Sequence, residues 1–184
     1  VLTPVVITAA DSLPVSLEAA KQACRIDHTD EDAFILRLIE TARDWIQPPS
    51  GFFFRSIAPQ TLELRLSRFP GLPVLLPGGP VTAITQVTYF DEYNTSQTIS
   101  PSFYFSDDDC IVWTTNMMVP TVYDRPGAAR IRYTAGPATP PKNVQHAITM
   151  LVAHWYENRE AVATVGAAQM IPIGAMELLH TARF

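Results

Sequence analysis

Four groups of residues carry the side chains from which chemistry is usually built. His154 and Glu157 stand three apart in a helical pattern, where an imidazole and a carboxylate can share one metal ion. Such a site needs a third ligand, and His146, eight residues away, does not reach. Asp27-His28-Thr29-Asp30-Glu31-Asp32 gathers carboxylates beside a histidine, the raw material of acid–base hydrolysis. The same run is a helix start: Thr29 is a good N-cap and Asp32 follows three residues later, as in a capping box with Asp in place of Glu. Asp107-Asp108-Asp109 is half a calcium loop without the required glycine or the closing glutamate. Gly78-Gly79-Pro80 is not followed by the lysine and hydroxyl residue of a phosphate loop, and no G-x-S-x-G is present. The expectation is therefore no catalytic residue, no metal site and no cofactor. A metal-assisted hydrolase working through His28 and its neighbouring carboxylates is the enzymatic alternative.

Composition points the same way. The 184 residues suit one domain, or one domain with a sizeable insertion. Charged residues make up 17%, against an average of about 25%, while aromatics reach 10%. That balance implies surface covered by something other than water, with another copy of the chain as the first candidate and a compact monomer with an uncharged polar surface as the alternative. The net charge is −5, and the 13 Lys and Arg residues never adjoin one another. Tight nucleic-acid binding calls for a basic stripe that displaces counterions from phosphates, and none is visible; acidic walls would let DNA pass without holding it. Cys24 and Cys110 form no CxxC pair, so two buried free thiols are expected, with one long-range disulfide as the alternative. Val1–Val5 lacks a basic segment and a long apolar core, so no signal peptide is expected, and no apolar run approaches a membrane span.

The elements that must position these residues follow from periodicity. Residues 1–15 are extended, with Val5, Val6 and Ile7 as a short edge strand. Ser16 is an N-cap with Glu18 in the first turn, and a helix runs from Leu17 to Ile26. A second helix runs to Gln47. Its Phe34, Ile35, Leu38, Ile39, Ala42, Trp45 and Ile46 share one face, and Arg37, Glu40, Arg43 and Asp44 the other. Pro48 and Pro49 stop it. Phe52-Phe53-Phe54 follows in a loop, too many aromatics for one direction, so that some cap the core and others meet a partner chain. From 59 to 135 the pattern is strand-like: Leu62, Leu64 and Leu66 alternate with polar residues, a short strand covers Val74-Leu75-Leu76, a longer one Val81–Phe90, and Asp91-Glu92-Tyr93-Asn94 turns the chain into Thr95–Ile99. Phe103-Tyr104-Phe105 and Ile111-Val112-Trp113 flank a turn, and Ala129–Thr134 closes the region. A long helix then begins near Pro141, with Val144, Ala147, Ile148, Leu151, Val152 and Trp155 in its apolar stripe. After Glu160 the chain is weakly patterned. The short helical stretch Ala175–Thr181, with Met176, Leu178 and Leu179, needs docking for its order. The fold class is α+β: a small helical bundle, two N-terminal helices plus a long C-terminal one, with an inserted antiparallel β region. The expected divisions are 1–58, 59–135, 136–160 and a C-terminal docking tail at 161–184.

Val15-Ser16-Leu17-Glu18-Ala19-Ala20-Lys21, Arg25-Ile26-Asp27-His28-Thr29-Asp30-Glu31-Asp32 and Ile35–Ala42, in that order, resemble the start of tailed-bacteriophage head–tail connector proteins, also called adaptors or head-completion proteins. Arg130-Ile131-Arg132-Tyr133-Thr134-Ala135-Gly136 and Leu151-Val152-Ala153-His154-Trp155-Tyr156-Glu157-Asn158-Arg159-Glu160 are similar to the closing strand and long helix of the same family. The loop from Pro48 to Phe54 departs from the simpler turn expected there. The resemblance implies a structural virion protein, found in the neck at the head–tail interface and in the host cytoplasm during assembly. It would form a ring, usually twelvefold, beneath the portal. That ring would extend the DNA channel and join the head to a downstream neck or tail-completion protein, with DNA passing untouched and no membrane involved. Another phage structural role, such as tail completion, is the alternative. A ring needs a heterologous interface, one patch meeting a different patch on the next copy. Arg37, Arg43, Asp44, Phe53, Glu157 and Arg159 are the candidate subunit contacts, and Leu178, Leu179, Arg183 and Phe184 the candidate portal contacts.

Overall fold

Two hydrophobic cores, one between helices and one between sheets, share a single chain that crosses from one to the other three times. A computed structural model describes residues 3–48, 51, 53–71, 73–116, 118–159 and 172–181. Strand β1 (Val5–Thr8) leads into α1 (Leu17–Cys24) and α2 (Asp32–Ile46). The β region follows as β2 (Gln60–Leu66), β3 (Val74–Leu75), β4 (Val81–Phe90), β5 (Ser96–Thr98), a single 3-10 turn at Pro101–Phe103, β6 (Tyr104–Asp107), β7 (Cys110–Trp113) and β8 (Ala129–Ala135). Helices α3 (Lys142–Glu157) and α4 (Ile173–Thr181) complete the order. The α+β class and the inserted antiparallel region stand as the sequence implies.

The helical core forms where the apolar stripes meet. Ile35, Ile39, Ala42 and Ile46 of α2 pack with Val144, Ala147, Ile148, Leu151 and Val152 of α3 and with Ala20 of α1. Each large side chain fully removed from water contributes about 1.5–3 kcal/mol. Ser16 caps α1 as expected, accepting from the Ala19 N–H. Helix α1 ends at Cys24 rather than Ile26, because Arg25 turns left-handed (φ 59°) and its N–H closes back on the Gln22 carbonyl. The capping box at Thr29 does not form. Glu31 occupies the N-cap position without a side-chain cap bond, and the Asp32 carboxylate instead takes the Lys21 ammonium at 2.7 Å. A tertiary ion pair between α1 and α2 has displaced a local cap.

The β region is a sandwich. A five-stranded sheet in the order β1-β2-β8-β4-β5 lies over a three-stranded sheet in the order β3-β7-β6, with every pairing antiparallel. Leu62, Leu64, Val87, Ile131 and Tyr133 from the larger sheet meet Val74, Tyr104 and Ile111 from the smaller. The N-terminal arm ties the cores together: Val6 packs on the sandwich and Val15 is buried in the helical core. At the junction the Ser56 hydroxyl donates to the Gly78 carbonyl at 2.5 Å and accepts from Gln60 at 2.8 Å. Gly136 sits there with φ +102°, and a Cβ on it would lie 2.2 Å from the Ala58 carbonyl oxygen. Only glycine fits that crossing.

The C-terminal stretch needs docking for its order, and it docks on its own chain. Helix α4 begins at Ile173 and lays Ala175 and Leu179 into the helical core.

Candidate assembly surfaces

The residues that could have carried chemistry are spread over the molecule or used structurally. Among the described residues no three His, Cys, Asp or Glu side chains gather as a metal site, and no helix is long and apolar enough to cross a membrane. Cys24 and Cys110 are free and half-buried rather than buried. His28 is exposed. Asp109 is engaged by the Val81 N–H at 2.8 Å and by Arg55 at 3.6 Å. It braces the junction, while Asp107 and Asp108 stay exposed at the β6–β7 turn.

The helical body uses several of its charged groups to tie its own helices together. Where the end of α3 passes the start of α2, the Tyr156 hydroxyl and the Arg159 guanidinium both donate to Glu31, the latter at 2.6 Å. The Arg159 guanidinium also lies over the rings of Phe34 and Tyr156, 4.8 and 4.7 Å from their centroids, a cation–π arrangement. The Tyr156 hydrogen bond, followed by that from Arg159, holds the Glu31 carboxyl below its usual range, and Glu31 in turn raises the Tyr156 hydroxyl. This knot pins α3 to α2 just before residue 160.

It also decides the fate of several predicted contacts. Arg159 is engaged within the chain. Arg43 lies folded inward, donating to Asp44 and to the Ala10 carbonyl with only 12% of its side chain exposed. Phe53 packs on the helical core and meets His180 edge-on. Arg37, Asp44 and Glu157 are exposed. Leu179 is buried and Leu178 packs against the same core, so neither lies open for a partner; Arg183 and Phe184 lie outside the described residues.

Sequence periodicity did not single out the outer face of the five-stranded sheet. Register puts Glu63 opposite Arg132 and Arg65 opposite Arg130, and Gln86 and Thr88 of β4 continue the same two rows. Glu63 accepts from Arg65 and from Arg132 at 2.8 Å each, and these arginines cover it until only 3% of its side chain is exposed. Burial alone would raise the Glu63 carboxyl, but the two guanidinium hydrogen bonds bring it below its usual range. Arg125 and Arg130 converge on the Phe90 ring, 3.9 and 5.1 Å from its centroid. Arg125 otherwise donates to Asn94 and Arg130 to the Gly127 carbonyl; among the described residues neither has an ion pair. The alternations Glu63-Leu64-Arg65 and Arg130-Ile131-Arg132 were the available signal. Each reveals one face of one strand, and the strand pairing that unites them is tertiary.

Residues 14–183 match the family described as phage gp6-like head-tail connector protein. The chain belongs to that family. No curated protein matches it. Solved structures with the same fold include a chain in the neck of an empty gene transfer agent (GTA) particle computed with C6 symmetry, 22% identical with a TM-score of 0.77. A chain in the virion of the native GTA particle is 21% identical with a TM-score of 0.77. A chain in the neck of the native particle, computed with C12 symmetry, is 20% identical with a TM-score of 0.68. Each alignment covers 98% of this chain and 94% of the other. The connector family thus supplies the overall architecture: helical body, inserted sandwich and returning helices.

Proposed function

We propose that the protein is a head–tail connector whose copies form a ring beneath the portal, lengthening the DNA exit channel and offering a platform to the next neck or tail component. The observation that carries this reading is the match to the connector family across residues 14–183. The work done is binding, not bond making. Copies meet head to tail, twelve to a ring, in the neck of the virion, after assembly from chains made in the host cytoplasm. The negative net charge suits a conduit through which phosphate slides without sticking. The exposed polar edge of the helical body, with Arg37, Asp44 and Glu157, is one contribution to the subunit interface, and the extreme C-terminus, with Arg183 and Phe184, reaches the portal.

The test is a short truncation. Removing residues 171–184 would strip Ala175 and Leu179 from the helical core and confound folding with docking. Removing 182–184 alone leaves α4 seated. The truncated chain is expected to keep its melting temperature and to lose co-purification with the portal; retained portal binding would contradict the role given to these residues.

A further inference from the structure

The two outer faces of the sandwich are unlike each other in a way that a ring can use. Both inner faces are spent on the shared core, so the outer faces lie on opposite sides of the subunit. Over the outer face of the five-stranded sheet Arg65, Arg130 and Arg132, with Arg125 from the loop before β8, gather around Glu63 and Phe90, in a protein whose net charge is −5. Arg65 and Arg130 stand directly opposite in the ladder, a like-charge pair that costs stability. Glu63 offsets this for Arg65 and Arg132 and leaves Arg125 and Arg130 with aromatic and neutral polar partners. On the three-stranded sheet the outer face carries the opposite endowment. Leu75 is 64% exposed and Phe105 51%. Register sets Leu75 and Asp107 across from Cys110 and Phe105 across from Val112. Asp107 and Asp108 end that face exposed, and among the described residues neither has an ion pair.

We infer that the sandwiches stack face to back in the ring, the arginine face of one copy receiving the Phe105–Asp107 face of the next. Arg125 and Arg130 meet Asp107 and Asp108, while Phe105 and Leu75 leave water against Phe90 and Thr88 beside it. This deepens the connector reading and rests on it. Charge complementarity selects the occupant: the cationic excess on one side matches the unpaired carboxylates on the other. Two different patches on opposite sides of one subunit are what a heterologous, closing interface needs. The alternative anion, the phosphate backbone of DNA in the channel, has no claim on the apolar half of the surface, since it leaves Leu75 and Phe105 uncovered.

The experiment uses the full chain, assembled with its portal and imaged by negative stain, with particle mass measured in parallel. Arg125→Glu with Arg130→Glu, and separately Asp107→Arg, are each expected to lower the fraction of complete rings at least about ten-fold, since like charges brought together across an interface cost several kcal/mol. Combining all three substitutions in one chain restores rings in part, by swapping polarity where Asp107 meets the arginine face. Thermal melts of the unassembled chains check folding. Should the double arginine variant fail to fold, Asp107→Arg alone decides, because its side chain stands at an exposed strand end. Rings that form normally from folded variants overturn the inference, as do rings that form normally but lose retention of duplex DNA, which would give the arginine face to the channel. Absence of rings from the unaltered chain would instead sink the connector reading itself.

Discussion

The helical body and the sandwich place their charges differently. In the body, Lys21 pairs with Asp32, Arg43 turns inward to the Ala10 carbonyl, and Glu31 gathers Tyr156 and Arg159 into one knot. In the sandwich, Arg125, Arg130, Asp107 and Asp108 have no ion pair among the described residues, and Leu75 and Phe105 face water. The body ties its own helices together with these groups and still shows Arg37, Asp44 and Glu157 at its surface; the sandwich gathers cations on one face and carboxylates with apolar side chains on the other. A connector needs both, a rigid unit that survives alone and a surface whose groups are satisfied only in the assembly.

The contrast can be broken by substitution. Leu151→Ala removes a fully buried side chain from the seam of α2 and α3. It should cost about 2–5 kcal/mol, read as a lower midpoint in denaturant unfolding, and lower assembly only through lost folding.

Glu63→Gln removes the carboxylate that pairs with Arg65 and Arg132 on the open face. It leaves Arg65, Arg130 and Arg132 clustered without a counter-charge, and a loss of about 1–3 kcal/mol is expected. The same group sets a pH dependence. Because the folded carboxyl lies below its usual value, its stabilisation is complete above the unfolded-state pKa and is lost as pH falls through the folded one. Melting temperatures of the unaltered chain and of Glu63→Gln should therefore converge toward acid pH; parallel curves would contradict this.

Ser16→Ala is the smallest test, removing the α1 cap for about 1 kcal/mol, with no effect on ring formation by the chains that remain folded.

Sequence legibility divides along the same line. The body was readable because a buried helical face repeats locally: the apolar spacing from Ile35 to Ile46 and from Val144 to Val152 names residues of the core, whereas Phe34, on the same predicted face, lies under the Arg159 guanidinium instead. The strands were also readable, since alternation in Gln60–Leu66 and Ala129–Ala135 marks which side chains turn inward. What alternation does not record is register between strands distant in the chain. The Arg65–Arg130 and Glu63–Arg132 pairs join residues more than sixty positions apart, and the arginine face exists only once they are joined. The Thr29 capping box failed for a related reason, because Lys21 from a different helix claimed Asp32. Residues that seemed free for partners, Arg43, Phe53 and Leu179, were taken by intramolecular contacts that no local pattern announces.

The most direct measurement is a cryo-EM reconstruction of the neck of particles assembled with this chain. The account predicts a closed ring of this fold between the portal and the tail, with successive sandwiches in contact through opposite faces. A neck reconstructed without this fold beneath the portal would contradict it.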